Sequence, residues 1–124
     1  MTRTIPLEKL EAYKRGARAR EAYRRQELAR RRQAAWTVAE QAARMLKETF
    51  GAVRVVVFGS LVHGAWFHLD SDIDLAVAGI APEAFWQAWS ALDRISDGVE
   101  INLVALEDAS ESLRGEIEVG GREL

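Results

Sequence analysis

The longest pattern in the chain is helical. From Leu7 to Phe50 there is no proline and only one glycine, Gly16, while Ala, Arg, Glu, Gln and Leu, all good helix formers, dominate. Pro6 suits a first turn. From Leu28 onward Ala35, Ala39, Ala42, Leu46 and Thr49 recur at spacings of three, four and seven, a stripe that should pack on a sheet. Before Leu28 the stripe thins to Leu7, Leu10, Tyr13 or Lys14, and Ala17, and arginines at 15, 18, 20, 24, 25, 30, 31 and 32 spread around the cylinder. The pattern predicts one helix over residues 1–49, its second half in the core and its first half projecting. The period then changes. Val53 to Phe58 reads as an apolar strand that stops at Gly59-Ser60, and Ser71-Asp72-Ile73-Asp74 opens a second strand reaching Val77. Leu61 to Gly64 begin a helical turn between them. Beyond Pro82, the spacing of Ala84, Phe85, Ala88, Trp89 and Leu92 predicts an amphipathic helix ending near Ser96, with Phe85 and Trp89 packing into the core. Asp97-Gly98 is a turn signal. Val99 to Leu106 alternates as a third strand, and a short helix from Glu107-Asp108 to about Val119 turns Leu113 and Ile117 inward. Gly120-Gly121 ends it, and the last residues add an edge strand. Helices and strands thus alternate in an α/β fold, with residues 1–124 forming one domain whose core spans 50–124.

Successive side chains of a strand face opposite ways, so Asp72 and Asp74 share one face while Ile73, Leu75 and Val77 share the other. Two neighbouring carboxylates repel unless a cation sits between them. Mg²⁺ is the usual one, since it accepts one or two protein carboxylates and takes its other oxygens from water and substrate phosphates. Gly59 allows a ligand to approach the backbone closely. Ser60 adds a hydroxyl and an N–H, and the start of a helical turn attracts anions. Phosphates bound at Gly59 and Ser60 would face a metal held by Asp72 and Asp74, a geometry for moving a phosphoryl or nucleotidyl group. A calcium loop is excluded by the absence of its Asp-rich repeat and closing Glu.

The 124 residues contain no cysteine, which removes disulfides and thiolate zinc sites. No apolar run approaches the roughly 18 residues of a membrane span, so no membrane association and a cytoplasmic location are expected. The formal charge of −2 hides an asymmetry: residues 1–47 carry thirteen Lys/Arg against five Asp/Glu, and residues 48–124 carry four against fourteen. Two readings of the basic half follow. It is a solvated helix held by pairs such as Glu21–Arg25 and Glu27–Arg31, or a docking arm for an acidic partner. A protein partner is favoured over nucleic acid, because only Tyr13 and Tyr23 offer rings for base stacking. His63 and His68 flank the Gly-Ser loop, and either suits a hydrogen bond to phosphate, with zinc disfavoured by the lack of further ligands.

Gly59-Ser60, Gly64 and Ser71-Asp72-Ile73-Asp74-Leu75 together resemble the Gly-Ser…Asp-x-Asp signature of the DNA polymerase β-like nucleotidyltransferase superfamily. The chain carries little else, and so resembles the minimal nucleotidyltransferases (MNT), antitoxin partners of HEPN toxins. The resemblance covers about Phe50 to Leu124. Eleven residues separate Ser60 from Asp72 where ten is commoner, and the Trp66-Phe67 segment can absorb the extra one. The resemblance implies a small mixed β-sheet with helices packed mainly on one face. It also implies Mg²⁺-dependent transfer of AMP from ATP to a tyrosine hydroxyl of a cognate HEPN toxin (AMPylation), with Gly59 and Ser60 on the β/γ-phosphates and Asp72 and Asp74 on the metal. In the family a third carboxylate stands on the third strand; here that position is Asn102. Glu100 lies on the same face two residues earlier, about 7 Å along the strand. Three outcomes follow: Glu100 substitutes as the third carboxylate, a weakened one-metal site survives, or catalysis is lost and the protein neutralises its toxin by binding alone. A small-molecule, aminoglycoside-type transferase is the remaining alternative, although such enzymes usually carry a further helical domain.

Overall fold

The computed structural model describes residues 4–124. Residues 1–3, included in the predicted helical segment, lie outside the described residues. Helix α1 runs Leu7–Phe50, followed by β1 Arg54–Phe58, β2 Ile73–Ala78, α2 Phe85–Leu92, β3 Ile101–Ala105, α3 Glu111–Gly120 and β4 Arg122–Glu123. The strands form one mixed sheet in the order β3-β2-β1-β4. β1 pairs antiparallel with β2 and β4, and β2 pairs parallel with β3.

Alternation along the strands builds two layers of core. Val55 and Val57, Ile73, Leu75 and Val77, and Ile101 and Leu103 face α1 and α2, where Ala39, Leu46, Ala88 and Leu92 meet them. On the other face Val56 and Ala76 are covered by Leu106 and by Ile117 and Leu113 of α3. Two helices therefore share a face and the third takes the opposite one. Each fully buried Leu, Ile or Val contributes about 1.5–3 kcal/mol. The buried stripe of α1 is mostly alanine: Ala35, Val38, Ala39, Ala42, Ala43 and Leu46. Small side chains bring the helix close to the sheet. Thr49, the last member of the predicted stripe, is exposed. Helix α1 ends one turn past Leu46, where Gly51 adopts φ +76° and the chain folds back through an N–H to the Leu46 carbonyl.

No residue of α1 before Ala35 is buried. This stretch is laced by intrahelical pairs, Arg24 and Arg25 on Glu21 and Arg30 and Arg31 on Glu27. Several boundaries differ from the sequence pattern. α2 closes at Leu92 rather than near Ser96, and β3 starts at Ile101 rather than Val99. α3 starts at Glu111 because the Ser110 hydroxyl accepts the Leu113 N–H at 3.1 Å, a side-chain cap that Glu107-Asp108 do not provide.

Candidate active site

The end of β1 and the beginnings of β2 and β3 meet at one end of the sheet's strands. Phe58 stands opposite Asp74, and Asp74 stands opposite Asn102. Just past Phe58, Gly59 has φ +77°, and a Cβ there would lie 2.5 Å from Asp74 Oδ2. Only glycine lets the turn run directly against that carboxylate. Asn102 reaches across from β3, its Nδ2 donating to Asp72 Oδ2 and to Asp74 Oδ1 at 3.3 Å each. The residue at the expected third-carboxylate position therefore bridges the two acids. Burial raises the Asp74 pKa above the ordinary carboxylate value; the Asn102 amide opposes this and the neighbouring Asp72 charge adds to it.

Ser60 sits half-buried in a 3₁₀ turn, Gly59–Leu61. The predicted helical turn over Leu61 to Gly64 is replaced by this turn and a second one, Gly64–Trp66. The reason is visible in the hydrogen bonds. The N–H groups of Val62 and His63 both fold back to the Gly59 carbonyl at 3.2 Å. The Leu61 and Val62 carbonyls, which a continuing helix would use, accept instead from the Arg32 guanidinium.

Beside the carboxylates opens a cleft of about 580 Å³. Asp72, Ser71, Asp97 and Glu100 line it, and Arg31 of α1 stands in its wall. Glu100 is exposed in this cleft on the Asp72 side, whereas Asn102 occupies the position in register with Asp74. The structure thus gathers Gly59, Asp72, Asp74 and Asn102, with Ser60 in the adjoining turn and Glu100 in the adjoining cleft. Both histidines serve the loop. His68 Nδ1 accepts the Asp70 N–H and its own N–H reaches Ser71 Oγ, while His63 packs at a tilt on Trp66. Phe85 and Trp89 pack against the core as predicted, and Trp89 Nε1 donates to the Ile101 carbonyl.

Among the described residues no group of three or more His, Cys, Asp or Glu is placed to hold a metal. The donors that are present suit a hard divalent cation nonetheless. Asp74 bears charge that burial and Asp72 both penalise, and a bound cation would relieve it. The set is all oxygen, two carboxylates and, with the amide turned over, the Asn102 carbonyl, as magnesium prefers.

Residues 40–124 match the family described as polymerase beta, nucleotidyltransferase. The chain belongs to that family. Among solved structures, this nucleotidyltransferase-family chain is similar to a chain of a toxin–antitoxin complex with AMP-PNP, at 26% identity and a TM-score of 0.59, over 68% of this chain and 70% of the other. It also resembles a chain of the complex between a tri-AMPylated Shewanella oneidensis HEPN toxin and its MNT antitoxin, at 22% identity and a TM-score of 0.55, over 72% and 70%. A third likeness is to a protein described as a minimal nucleotidyltransferase, at 29% identity and a TM-score of 0.50, over 80% and 94%. No curated protein matches the chain.

Two residues at the site escaped the sequence reasoning, Arg31 and Arg32, both upstream of the family match. Arg32 had a signal. It falls on the stripe Leu28, Arg32, Ala35, Ala39, Ala42, Leu46, a charged residue at an inward-facing position.

Proposed function

We propose that this chain is a Mg²⁺-dependent nucleotidyltransferase that moves AMP from ATP to a hydroxyl, a tyrosine of a cognate HEPN toxin, and so acts as that toxin's antitoxin. The observation that carries the reading is the close approach of the Gly59 backbone to Asp74, with Asp72 beside it. The Gly59 turn and the paired carboxylates meet with no side chain between them. Family membership supports the reaction class. AMP-PNP in one toxin–antitoxin relative points to ATP, and the tri-AMPylated toxin of a fold neighbour points to a protein acceptor.

In the proposed reaction the acceptor oxygen attacks the α-phosphorus of ATP and loses its proton. The bond from that phosphorus to the bridging oxygen breaks, and pyrophosphate leaves. Gly59 and Ser60 bind and orient the β- and γ-phosphates. Asp72 and Asp74 would hold the magnesium ion, which when bound neutralises phosphate charge and polarises the phosphoryl group. Glu100, exposed in the cleft on the Asp72 side, is the carboxylate assigned to take the acceptor proton, because Asn102 has no basic group. The basic half of α1 docks the acidic face of the partner.

The test is incubation of the protein and a HEPN-type partner with Mg²⁺ and ATP labelled at the α-phosphate. Label on a partner tyrosine is expected. Asp72→Ala and Asp74→Ala should each lower it at least ~100-fold, the low end of the contribution of transition-state charge stabilisation, while circular dichroism shows an intact fold. Labelling that survives both substitutions would refute the metal assignment. Asn102 supports a second reading, a binding-only antitoxin. Its signature is a tight complex and toxin inhibition with no label transferred.

A further inference from the structure

The turn that carries Gly59 and Ser60 is held from outside the family match, which begins at residue 40. Arg32 on α1 donates through Nε and Nη2 to the Leu61 carbonyl at 3.2 and 2.9 Å, and through Nη2 to the Val62 carbonyl at 3.3 Å. Its guanidinium is half-buried and makes no ion pair among the described residues, although the neighbouring Arg30 and Arg31 both pair with Glu27. Gly64 completes the seat. A Cβ on it would stand 2.6 Å from Arg32 Cζ and within 2.9 Å of both terminal nitrogens, so the glycine backbone lies flat against the guanidinium. Gly64 thus leaves the room that the Arg32 guanidinium occupies.

We propose that Arg32 is a positioning residue for the nucleotide site. By occupying the Leu61 and Val62 carbonyls at the end of the Gly59–Leu61 turn, it stops the chain from continuing as a helix. It thereby fixes Gly59 and Ser60 against Asp74. The planar fork of arginine suits this task, since it satisfies adjacent carbonyl oxygens from one rigid group. The long basic helix is then a working part of the site as well as an arm. The inference rests on the nucleotide-binding function proposed above.

Two variants attack the contact from opposite sides. Arg32→Met keeps the apolar stem and removes the donors. Gly64→Ala keeps the arginine and pushes its flexible end off the carbonyls. Hydrogen exchange in the protein without nucleotide should accelerate ~10-fold over residues 59–64 in each, the effect of losing one net hydrogen bond or so, with exchange in β1 and β2 unchanged. Affinity for AMP-PNP with Mg²⁺ should fall by a similar factor, and KM for ATP should rise with kcat changed less than ~3-fold. Arg32→Lys should recover part of the affinity, because an ammonium reaches a carbonyl without the fork. The double variant should be no worse than the worse single one, since both remove the same contact. Unaltered exchange over 59–64, or unaltered nucleotide affinity despite faster exchange, overturns the proposal, as do strictly additive effects in the double variant. If wild-type protein bound no nucleotide, the proposed function would fall, recognisable because Arg32→Met and Gly64→Ala would still loosen the turn.

Discussion

At Asn102 an amide stands between two carboxylates in a position where the sequence resemblance implies a third. The side chain donates to Asp72 and Asp74 at equal distance and so offsets part of their repulsion. Asn102→Asp would place a third charge in register with Asp74. In metal-free protein that change should destabilise the fold, more at pH 7 than at pH 4.5, by thermal unfolding. With Mg²⁺ the same variant should transfer label at least ~10-fold faster than wild type, below the usual contribution of a positioned general base. A slower variant would show that the amide already fulfils its role. Asp74 itself gives a pH signature. Its folded pKa lies above the unfolded one, so as pH falls the folded state takes the proton first, and this group's contribution to stability rises through that interval. The cost of ionisation is fully present above the folded pKa. Asp74→Asn should therefore stabilise the metal-free protein at pH 7, modestly because the group is half in solvent. That gain should shrink as pH drops toward 4. The comparison with wild type cancels the opposite behaviour of Glu27 and Glu118, held low by hydrogen bonds from Arg30 and Arg54. A gain that grows toward acid pH would contradict the assignment.

At the level of elements, α1 changes character along its length. From Ala35 to Leu46 its buried positions are nearly all alanine, which sets a close distance to β1 and β2. Ala42→Leu should overpack that contact and cost about 1–3 kcal/mol by denaturant titration. Arg18→Ala, on the projecting half, should stay within ~0.5 kcal/mol of wild type. Most of this was readable from the three-and-four spacing. Thr49 misled: it lies within α1 but beyond Leu46, the last buried position of the helix, and is exposed. The start of α3 misled too, since a run of acids suits a helix start electrostatically, whereas the hydroxyl of Ser110 makes the hydrogen bond that begins it. The turn after Gly59 was legible as a turn. Its 3₁₀ form was not, because the Leu61 and Val62 carbonyls that a continuing helix would use are taken by Arg32, 29 residues before Leu61.

Across the whole molecule, charge is divided between a basic helix and an acidic sheet end. Between Arg54 and Arg94 the sequence has no Lys or Arg, and the cation in the wall of the cleft, Arg31, arrives from α1. Removing residues 1–27 takes away eight Lys/Arg but no buried side chain of α1. The truncated protein should unfold at a midpoint within a few degrees of wild type and bind the proposed HEPN-type partner more weakly, with a flatter dependence of affinity on salt. Unchanged affinity would leave that half as a solvated helix. Within the sequence, local periodicity determined which segments are helix or strand and which faces are apolar, because side-chain alternation is set by the backbone repeat alone. Gly59-Ser60 and Asp72-x-Asp74 likewise stood out as candidates for phosphate and metal chemistry, since each pattern needs only neighbouring residues. Only the tertiary structure decided that α3 takes the face opposite α1, that Asn102 pairs in register with Asp74, and that Arg32 takes the Leu61 and Val62 carbonyls. Those outcomes depend on how elements distant in sequence pack, and packing distance and register are properties of the assembled core.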